Sequence, residues 1–137
     1  MRRVIVESPY KGEGQDAVER NLRYLRLCLR DCFRRGEAPY ASHGLYTQPG
    51  VLDDSSDQER QQGIDAGMVW KDVAHATVVY TDLGITRGMS YGIEHAEKLG
   101  MTIEMRRLGE SWDIGLGRHT WFTTTPTSTT WSAFKPS

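Results

Sequence analysis

The chain has 137 residues and a formal net charge of −1 at pH 7, from 17 basic and 18 acidic side chains. This length is typical of one domain, and the balanced charge argues against a dedicated nucleic-acid binder, which would carry a strongly basic face. Because no apolar run approaches 18 residues and the N-terminal segment is too short for a secretory signal, we expect a cytoplasmic protein without a membrane partner.

Two cysteines, Cys28 and Cys32, lie four residues apart in a predicted helix. Their Cβ atoms would be about 5–6 Å apart, which is too far for a disulfide. No cluster of His or Cys accompanies them, so we predict two buried free thiols and no metal site. Free thiols also favour the cytoplasm. The sequence indicates no cofactor.

The first half of the chain begins with an aliphatic run at residues 4–6, which predicts a buried strand followed by the loop ESPYKGEGQ. A helix is predicted next, with Asp16 as its N-cap and Gly36 at its end. APYASH is a second candidate strand, and a long polar connection follows it. The helical positions predicted to face inward are Leu22, Leu25, Leu29, Cys32 and Phe33.

The second half repeats the alternation of helix and strand. A helix is predicted from about residue 57 to 74, with Ile64, Met68 and Val73 facing inward. ATVVYTD predicts a buried strand, a third helix covers about 88–99, and MTIEMRRL predicts a fourth strand. The Thr-rich and aromatic-rich segment 109–137 is predicted to be an extension that packs on this subunit or a neighbour, with a possible fifth strand near 120–124.

Strands alternating with helices predict an α/β fold, a Rossmann-like three-layer sandwich with a parallel sheet of four to five strands over residues 1–108. Ligands in such folds bind beyond the carboxyl ends of the strands. That rule gathers the loops ESPYKG, SHGLYTQPG and TDLGITRG around one pocket. The candidate residues on these loops are Glu7, Ser8, Pro9, Tyr10, His43, Tyr46, Gln48, Asp53, Asp54, Asp82, Thr86, Gly88 and Met89.

The chemistry of these side chains suits a polar ligand. Tyr10 can stack on a base or sugar, and a carboxylate at Asp82 can accept a hydrogen bond from a sugar hydroxyl. Thr86 and Gly88 open a helix, whose N-terminus attracts phosphate or carboxylate. Plain structural roles stay open beside these: a turn at residues 8–10, a turn or cap at Asp82, and a structural His43.

The segments VIVESPYKG, APYASH and HATVVYTDLGITRGMSYGIEHAEKLG, in this order and spacing over residues 4–108, resemble the nucleoside 2-deoxyribosyltransferase-like superfamily. GEAPYASHGLYTQPGVLDD with VVYTDLGITRGM resembles a bacteriophage-associated branch of it. The resemblance implies a homo-oligomer, a nucleoside or nucleotide ligand, and cleavage of an N-glycosidic bond by an attacking glutamate. It also implies that Thr86 lies near a 5′-phosphate and that Asp82 is a pocket carboxylate.

The chain departs from this pattern at the attacking glutamate. In the superfamily a glutamate follows four residues after a glycine like Gly88, whereas this chain has Gly92 there and Glu94 two residues later. Two helical residues turn about 200°, so Glu94 would point away from a pocket that position 92 faces. Glu94 therefore replaces the missing side chain only if the helix is shifted or rotated. Glu7 is a second source of a carboxylate, from the neighbouring strand end.

Two functions follow as hypotheses. The first is an enzyme acting on an N-glycosidic bond, of the deoxyribosyltransferase or nucleotide N-glycosidase type, with Glu94, Glu7 and Asp82 as its catalytic candidates. The second is a non-catalytic protein that binds and sequesters a nucleotide or nucleotide signal, for example one encoded by a bacteriophage, since the pocket loops remain while the glutamate is replaced. A structural module is the third and weakest.

Overall fold

Four parallel strands form the centre of the molecule in a computed structural model that describes residues 1–113. They are β1 (Arg2–Glu7), β2 (Glu37–Tyr40), β3 (Ala76–Tyr80) and β4 (Thr102–Arg106). The strands lie in the order β2-β1-β3-β4. This arrangement confirms the predicted α/β class and the parallel sheet.

Helices cover both faces of the sheet. The long helix α1 (Gly14–Arg34) packs on one face, and α3 (Asp57–Lys71) and α4 (Arg87–Lys98) lie on the other. A short helix, α2 (Ser42–Leu45), follows β2 directly, where the sequence predicted the end of a strand and the start of a loop. None of the helices among residues 1–113 is both long and apolar enough to cross a membrane.

The main core lies between α1 and the sheet. Along β1 the side chains alternate, so that Val4 and Val6 pack toward α1 while Glu7 reaches the opposite face. The two predicted thiols are confirmed as buried and free, and burial raises the pKa of Cys32 to about 11. The buried residues of α1 are Asn21, Tyr24, Leu25, Cys28 and Cys32.

The buried stripe of α1 agrees with the predicted one in part, because the four predicted positions other than Phe33 are buried or partly buried against the core. Phe33 is 44% exposed, whereas the polar residues Asn21 and Tyr24 are buried. They can be buried because each has a partner: the Asn21 side-chain amide donates to the Tyr10 carbonyl oxygen, and the Tyr24 hydroxyl donates to Asp82. Hydrophobic periodicity alone does not register polar side chains that find a partner inside the protein, as the Asn21 amide nitrogen does while its Oδ1 has no partner among residues 1–113.

One further prediction is wrong at the end of a helix. Val73 was predicted to face inward, but α3 ends at Lys71 and Val73 is 52% exposed. Because the helix stops there, Lys71 is the last inward-facing residue of α3, and it is buried. The possible strand near residues 120–124 and most of the extension 109–137 lie outside the described residues.

A buried ion pair joins the two edge strands under α1. Both terminal guanidinium nitrogens of Arg106 on β4 donate to the carboxylate of Glu37 on β2, each at 2.7 Å, and both side chains are 5% exposed. Arg106 also donates to the Tyr80 hydroxyl. The hydrogen bond to Glu37 raises the pKa of Arg106 above its usual value, so the guanidinium stays charged.

Candidate functional site

The strand order places a crevice at the carboxyl ends of β1 and β3. The chain runs from β1 outward to β2 on one side and from β3 outward to β4 on the other, so the order reverses between β1 and β3. Such a reversal is where open α/β sheets bind ligands. Glu7 is the last residue of β1, and Asp82 follows shortly after β3.

Glu7 forms a buried ion pair at this point. Lys71 at the end of α3 donates from Nζ to Glu7 Oε2 at 2.9 Å, and it also donates to the Gly92 carbonyl oxygen of α4. The Lys71 side chain is 3% exposed and that of Glu7 is 15% exposed. Glu7 Oε1 accepts no hydrogen bond from any residue in 1–113. One oxygen of this carboxylate is therefore held, and the other is uncommitted.

Burial and the lysine act in opposite directions on Glu7. Removal from water disfavours the charged carboxylate, whereas the nearby ammonium favours it. Burial is the larger effect, so the pKa of Glu7 is raised above its usual value despite Lys71. A carboxylate of this kind binds a proton more readily than an exposed one and is a stronger base when ionised.

The Glu7 carboxylate fills space that the absence of a side chain at Gly92 leaves open. A Cβ atom built on Gly92 would lie 2.6 Å from Glu7 Cδ, far inside van der Waals contact. Gly92 is buried at the face of α4 that meets β1. A side chain at position 92 and the observed Glu7 carboxylate thus exclude each other.

Glu94 lies elsewhere on α4. It is exposed, while Gly92 and Ile93 before it are buried. This placement agrees with the 200° rotation between positions 92 and 94. The carboxylate that lies beside Gly92 is that of Glu7 and not that of Glu94.

Ser8 and His43 form a second polar pair at the same end of the sheet. Ser8 Oγ and His43 Nε2 share a hydrogen bond of 2.7 Å, which joins the loops after β1 and β2. Burial lowers the pKa of His43 to about 4, so its imidazole is neutral at pH 7. Pro9, next to Ser8, is buried.

Two adjoining cavities lie at this end of the sheet, and His43 lines the smaller of them. The larger has a volume of about 500 Å³ and lies under the long connection between α2 and α3, with Tyr10 and Asp54 among its lining residues. The smaller, of about 90 Å³, is lined by Tyr10, His43, Tyr46 and Asp54 together with α3 residues. Gln48 is exposed, and Asp53 lines only the larger cavity. The predicted loops after β1 and β2 thus enclose space for a small molecule.

Asp82 makes several hydrogen bonds within the protein. It accepts from the Tyr24 hydroxyl at 2.6 Å and from the backbone N–H groups of Leu108 and Gly109. Burial opposes ionisation, but these hydrogen bonds together outweigh it and lower the pKa of Asp82. Its carboxylate joins α1 to the segment after β4, and it lines neither cavity.

The start of α4 also lies apart from the two cavities. Thr86 is the N-cap, and its hydroxyl accepts a hydrogen bond from the Met89 N–H. Gly88 is exposed, whereas Met89 is buried in a small core with Val79 and Ile93. The cap satisfies one of the helix's first N–H groups within the protein.

Lys71 is the site residue that sequence reasoning missed. It follows Ile64 and Met68 at the spacing i, i+4, i+7, which places a lysine on the inward face of α3. A buried lysine is rare unless it is paired, so this position was a usable signal. Residues 1–113 contain no group of three or more His, Cys, Asp or Glu that could hold a metal ion.

Comparisons with known proteins agree with the observed fold. The chain is similar to a solved 2-deoxyribosyltransferase from the psychrotolerant bacterium Bacillus psychrosaccharolyticus, with a TM-score of 0.55 and 15% identity over 79% of this chain and 74% of that one. At this identity the likeness shows a shared fold alone. No curated protein matches the chain. A family model does match residues 2–106, and the chain therefore belongs to the family described as Domain of unknown function (DUF7768).

Proposed function

We propose that this protein cleaves or exchanges the N-glycosidic bond of a nucleoside or nucleotide, with Glu7 as the reacting carboxylate. The observation that carries the proposal is the position of Glu7: its carboxylate occupies the space that a side chain at Gly92 would enter. The resemblance expects an attacking glutamate at position 92. In this chain the carboxylate reaches that place from β1 instead of α4.

The chemistry follows from the free oxygen of Glu7. Oε1 attacks the anomeric carbon as the bond from that carbon to the base nitrogen breaks, and the bonding electron pair leaves with the base, which takes up a proton. Water then adds to the anomeric carbon, gives up a proton that balances the one taken up by the base, and releases the sugar and the Glu7 carboxylate. In a transferase a second base takes the place of water.

The neighbouring side chains supply binding. Tyr10 lines both cavities and offers a ring on which a base can stack. The Asn21 amide holds the Tyr10 backbone carbonyl at 2.9 Å, which fixes the loop that carries this ring. His43 is neutral and lines the smaller cavity, so it can exchange hydrogen bonds with a sugar hydroxyl. Thr86 and Gly88 remain our candidates for a 5′-phosphate at the start of α4.

The test is release of free base. The protein is incubated with a panel of ribo- and deoxyribonucleosides and their 5′-monophosphates, and the products are separated by chromatography. We expect free base from at least one compound and none with Glu7→Gln. Base release that is unchanged in Glu7→Gln and lost in Glu94→Gln would overturn the assignment of the carboxylate.

A non-catalytic binder is the second candidate, and the Glu7–Lys71 ion pair favours it because the carboxylate is already partnered. In this case the cavities hold a nucleotide or nucleotide-derived signal without changing it, as a sequestering protein of a bacteriophage would. The same incubation separates the two. Intact ligand that is released only after heat denaturation supports the binder, and free base supports the enzyme.

We also propose that the protein is a homo-oligomer. Support comes from the end of α3 and the residues after it, where Val69, Trp70 and Val73 are between 49% and 65% exposed. Exposed apolar side chains this close together are typical of an interface. Light scattering after size-exclusion chromatography tests the proposal: a monomer at all concentrations would reject it, and Val69→Asp should shift an oligomer toward monomer.

A further inference from the structure

Lys71 is the buried ion-pair partner of Glu7. It is a lysine with a 3% exposed side chain at the end of α3. Its ammonium group touches two other elements, since it donates to Glu7 Oε2 on β1 at 2.9 Å and to the Gly92 carbonyl oxygen on α4. The Lys71 ammonium group therefore links the Glu7 carboxylate to the backbone of α4 at Gly92, where the missing side chain leaves space for that carboxylate.

This geometry fixes the direction of the carboxylate. Lys71 holds Oε2, while Oε1 has no hydrogen-bond partner among residues 1–113. Because Gly92 has no Cβ, nothing on α4 displaces the carboxylate from this orientation. We propose that Lys71 is a positioning residue, which anchors one oxygen of Glu7 against the backbone of α4 and so presents the other oxygen for reaction.

The proposal rests on the proposed function of Glu7, and it adds an electrostatic consequence. Lys71 on α3 is the charged group that contacts Glu7 among the described residues; α4 presents only the backbone of Gly92 there, and the neighbouring β3 presents Val79. Burial already raises the pKa of Glu7. Without the ammonium this pKa rises further, so the carboxylate is protonated at a higher pH than in the wild type.

The experiment is a titration of Glu7 by carbon NMR. The side-chain carboxyl signal of Glu7, identified by its absence in Glu7→Gln, is followed with pH in the wild type, Lys71→Met and Lys71→Arg. We expect the midpoint to rise by about 1–3 units in Lys71→Met and to stay near the wild-type value in Lys71→Arg. Lys98→Met, the same change at an exposed lysine of α4, is the matched control and should leave the midpoint unchanged.

Base release is then measured across pH with the same variants. In Lys71→Met we expect kcat to fall with little change in KM, and its acid limb to move to higher pH by the same 1–3 units. Lys71→Arg should retain part of the turnover. If Lys71→Met does not fold, the double variant Glu7→Gln/Lys71→Met shows whether the unpaired carboxylate is the cause, and Lys71→Arg carries the kinetic test.

Separate results reject the two proposals. An unchanged Glu7 midpoint in Lys71→Met, or a wild-type kcat and pH profile in that variant while Glu7→Gln is inactive, overturns the role of Lys71. Full turnover in Glu7→Gln overturns the proposed function of Glu7 instead. A positioning role requires both the shifted midpoint and the lowered kcat, whereas a lysine that only stabilises the fold changes the unfolding midpoint alone.

Discussion

Residues 1–113 contain two buried ion pairs on opposite faces of the sheet, and the two pairs are built differently. Arg106 and Glu37 make two parallel hydrogen bonds under α1, and Tyr80 adds a third contact. Lys71 and Glu7 make one hydrogen bond on the α3 and α4 face. The first pair uses both carboxylate oxygens, and the second leaves one oxygen of Glu7 uncommitted.

Their positions differ as well. The Arg106 pair spans the two edge strands, in a region where α1 covers the sheet. Glu7 ends β1 at the reversal of strand order and precedes Ser8, whose partner His43 lines the smaller cavity, while Glu7 itself lines neither cavity. A saturated pair inside a core has nothing left to offer a ligand. The Glu7 carboxylate, at the end of the sheet where ligands bind, still has one oxygen free to interact with a ligand. Burial of a charge alone therefore does not identify a site.

The largest effect should come from removing the charge of Glu7. In Glu7→Gln the acceptor for Lys71 remains, but the reacting oxygen is lost, so we expect base release to fall by roughly 10³-fold or more. Turnover is measured by chromatography, with thermal unfolding to verify that the variant is folded. Glu37→Gln makes the same change in the saturated pair, and the folded fraction of that variant should keep its turnover. Equal loss in both variants would contradict the contrast between the two pairs.

The second prediction concerns stability in the other pair. Arg106→Met leaves Glu37 buried without its main partner, and we expect the free energy of unfolding to fall by about 3–5 kcal/mol. Chemical denaturation measures it. Arg107→Met is the control because Arg107 is the neighbouring arginine and is exposed; it should change stability by less than about 1 kcal/mol. A mild effect of Arg106→Met would mean that the pair contributes little to the fold.

The third prediction uses the space beside Gly92. In Gly92→Ala the new Cβ overlaps the Glu7 carboxylate, which must turn or move away. A displacement of this size at a reacting group should lower kcat by roughly 10²-fold. Ser90→Ala places the same side chain at an exposed position of α4 and should leave kcat unchanged. Wild-type turnover in Gly92→Ala would show that the observed position of Glu7 is not the reactive one.

Most of the fold was predictable because it depends on local periodicity. Buried strands with continuous aliphatic runs, such as β3, and the apolar face of α4 with Met89, Ile93 and Ala96 were found where the pattern indicates them. The stripe of α1 was found only in part, since Phe33 is exposed and Asn21 and Tyr24 are buried through hydrogen bonds to distant residues. A hydrophobicity pattern registers side chains that avoid water, and it misses polar side chains that find partners inside.

The site was predictable only in part, for a similar reason. The strand-end rule placed Glu7, Ser8 and His43 at one edge of the sheet, where they lie. The same rule pointed to Asp82, whose hydrogen-bond partners include the backbone of Leu108 and Gly109, more than 20 residues further along the chain. Local sequence does not distinguish a carboxylate that awaits a ligand from one that binds its own chain.

Only the folded structure shows that the Glu7 carboxylate occupies the space beside Gly92. Nothing in the loop VESPY indicates that Glu7 turns toward α3 and α4, and nothing in SYGIE indicates which side chain fills the space at Gly92. The helical rotation of about 200° between positions 92 and 94 turns Glu94 away from that face, and Glu94 is indeed exposed. The sequence named Glu7 as a second source of a carboxylate, but it could not show that this side chain fills the space at Gly92, because the two residues lie 85 positions apart in the chain.

The smallest predicted effect is a pH dependence of stability that comes from His43, which lies at the Glu7 end of the sheet and not in the core around Arg106. Burial lowers the pKa of His43 from 6.5 to about 4, so the unfolded chain binds this proton at a higher pH than the folded protein does. The stability that His43 contributes is therefore present above pH 6.5 and is lost as the pH falls toward 4. Because the His43 side chain is only partly buried, solvent reduces this effect, and we expect the free energy of unfolding to fall by about 1–2 kcal/mol.

Glu7 titrates in the opposite sense, because its raised pKa contributes stability that is present below the usual glutamate value of 4.5 and is lost as the pH rises through the folded value. The contribution of His43 must then be measured as a difference between the wild type and His43→Gln, by chemical denaturation at several pH values between 4 and 7. Ser8→Ala removes the hydrogen bond to His43 but not its burial, so it should keep most of the slope. If Ser8→Ala abolishes the slope as fully as His43→Gln does, the hydrogen bond with Ser8, and not burial, controls the protonation of His43.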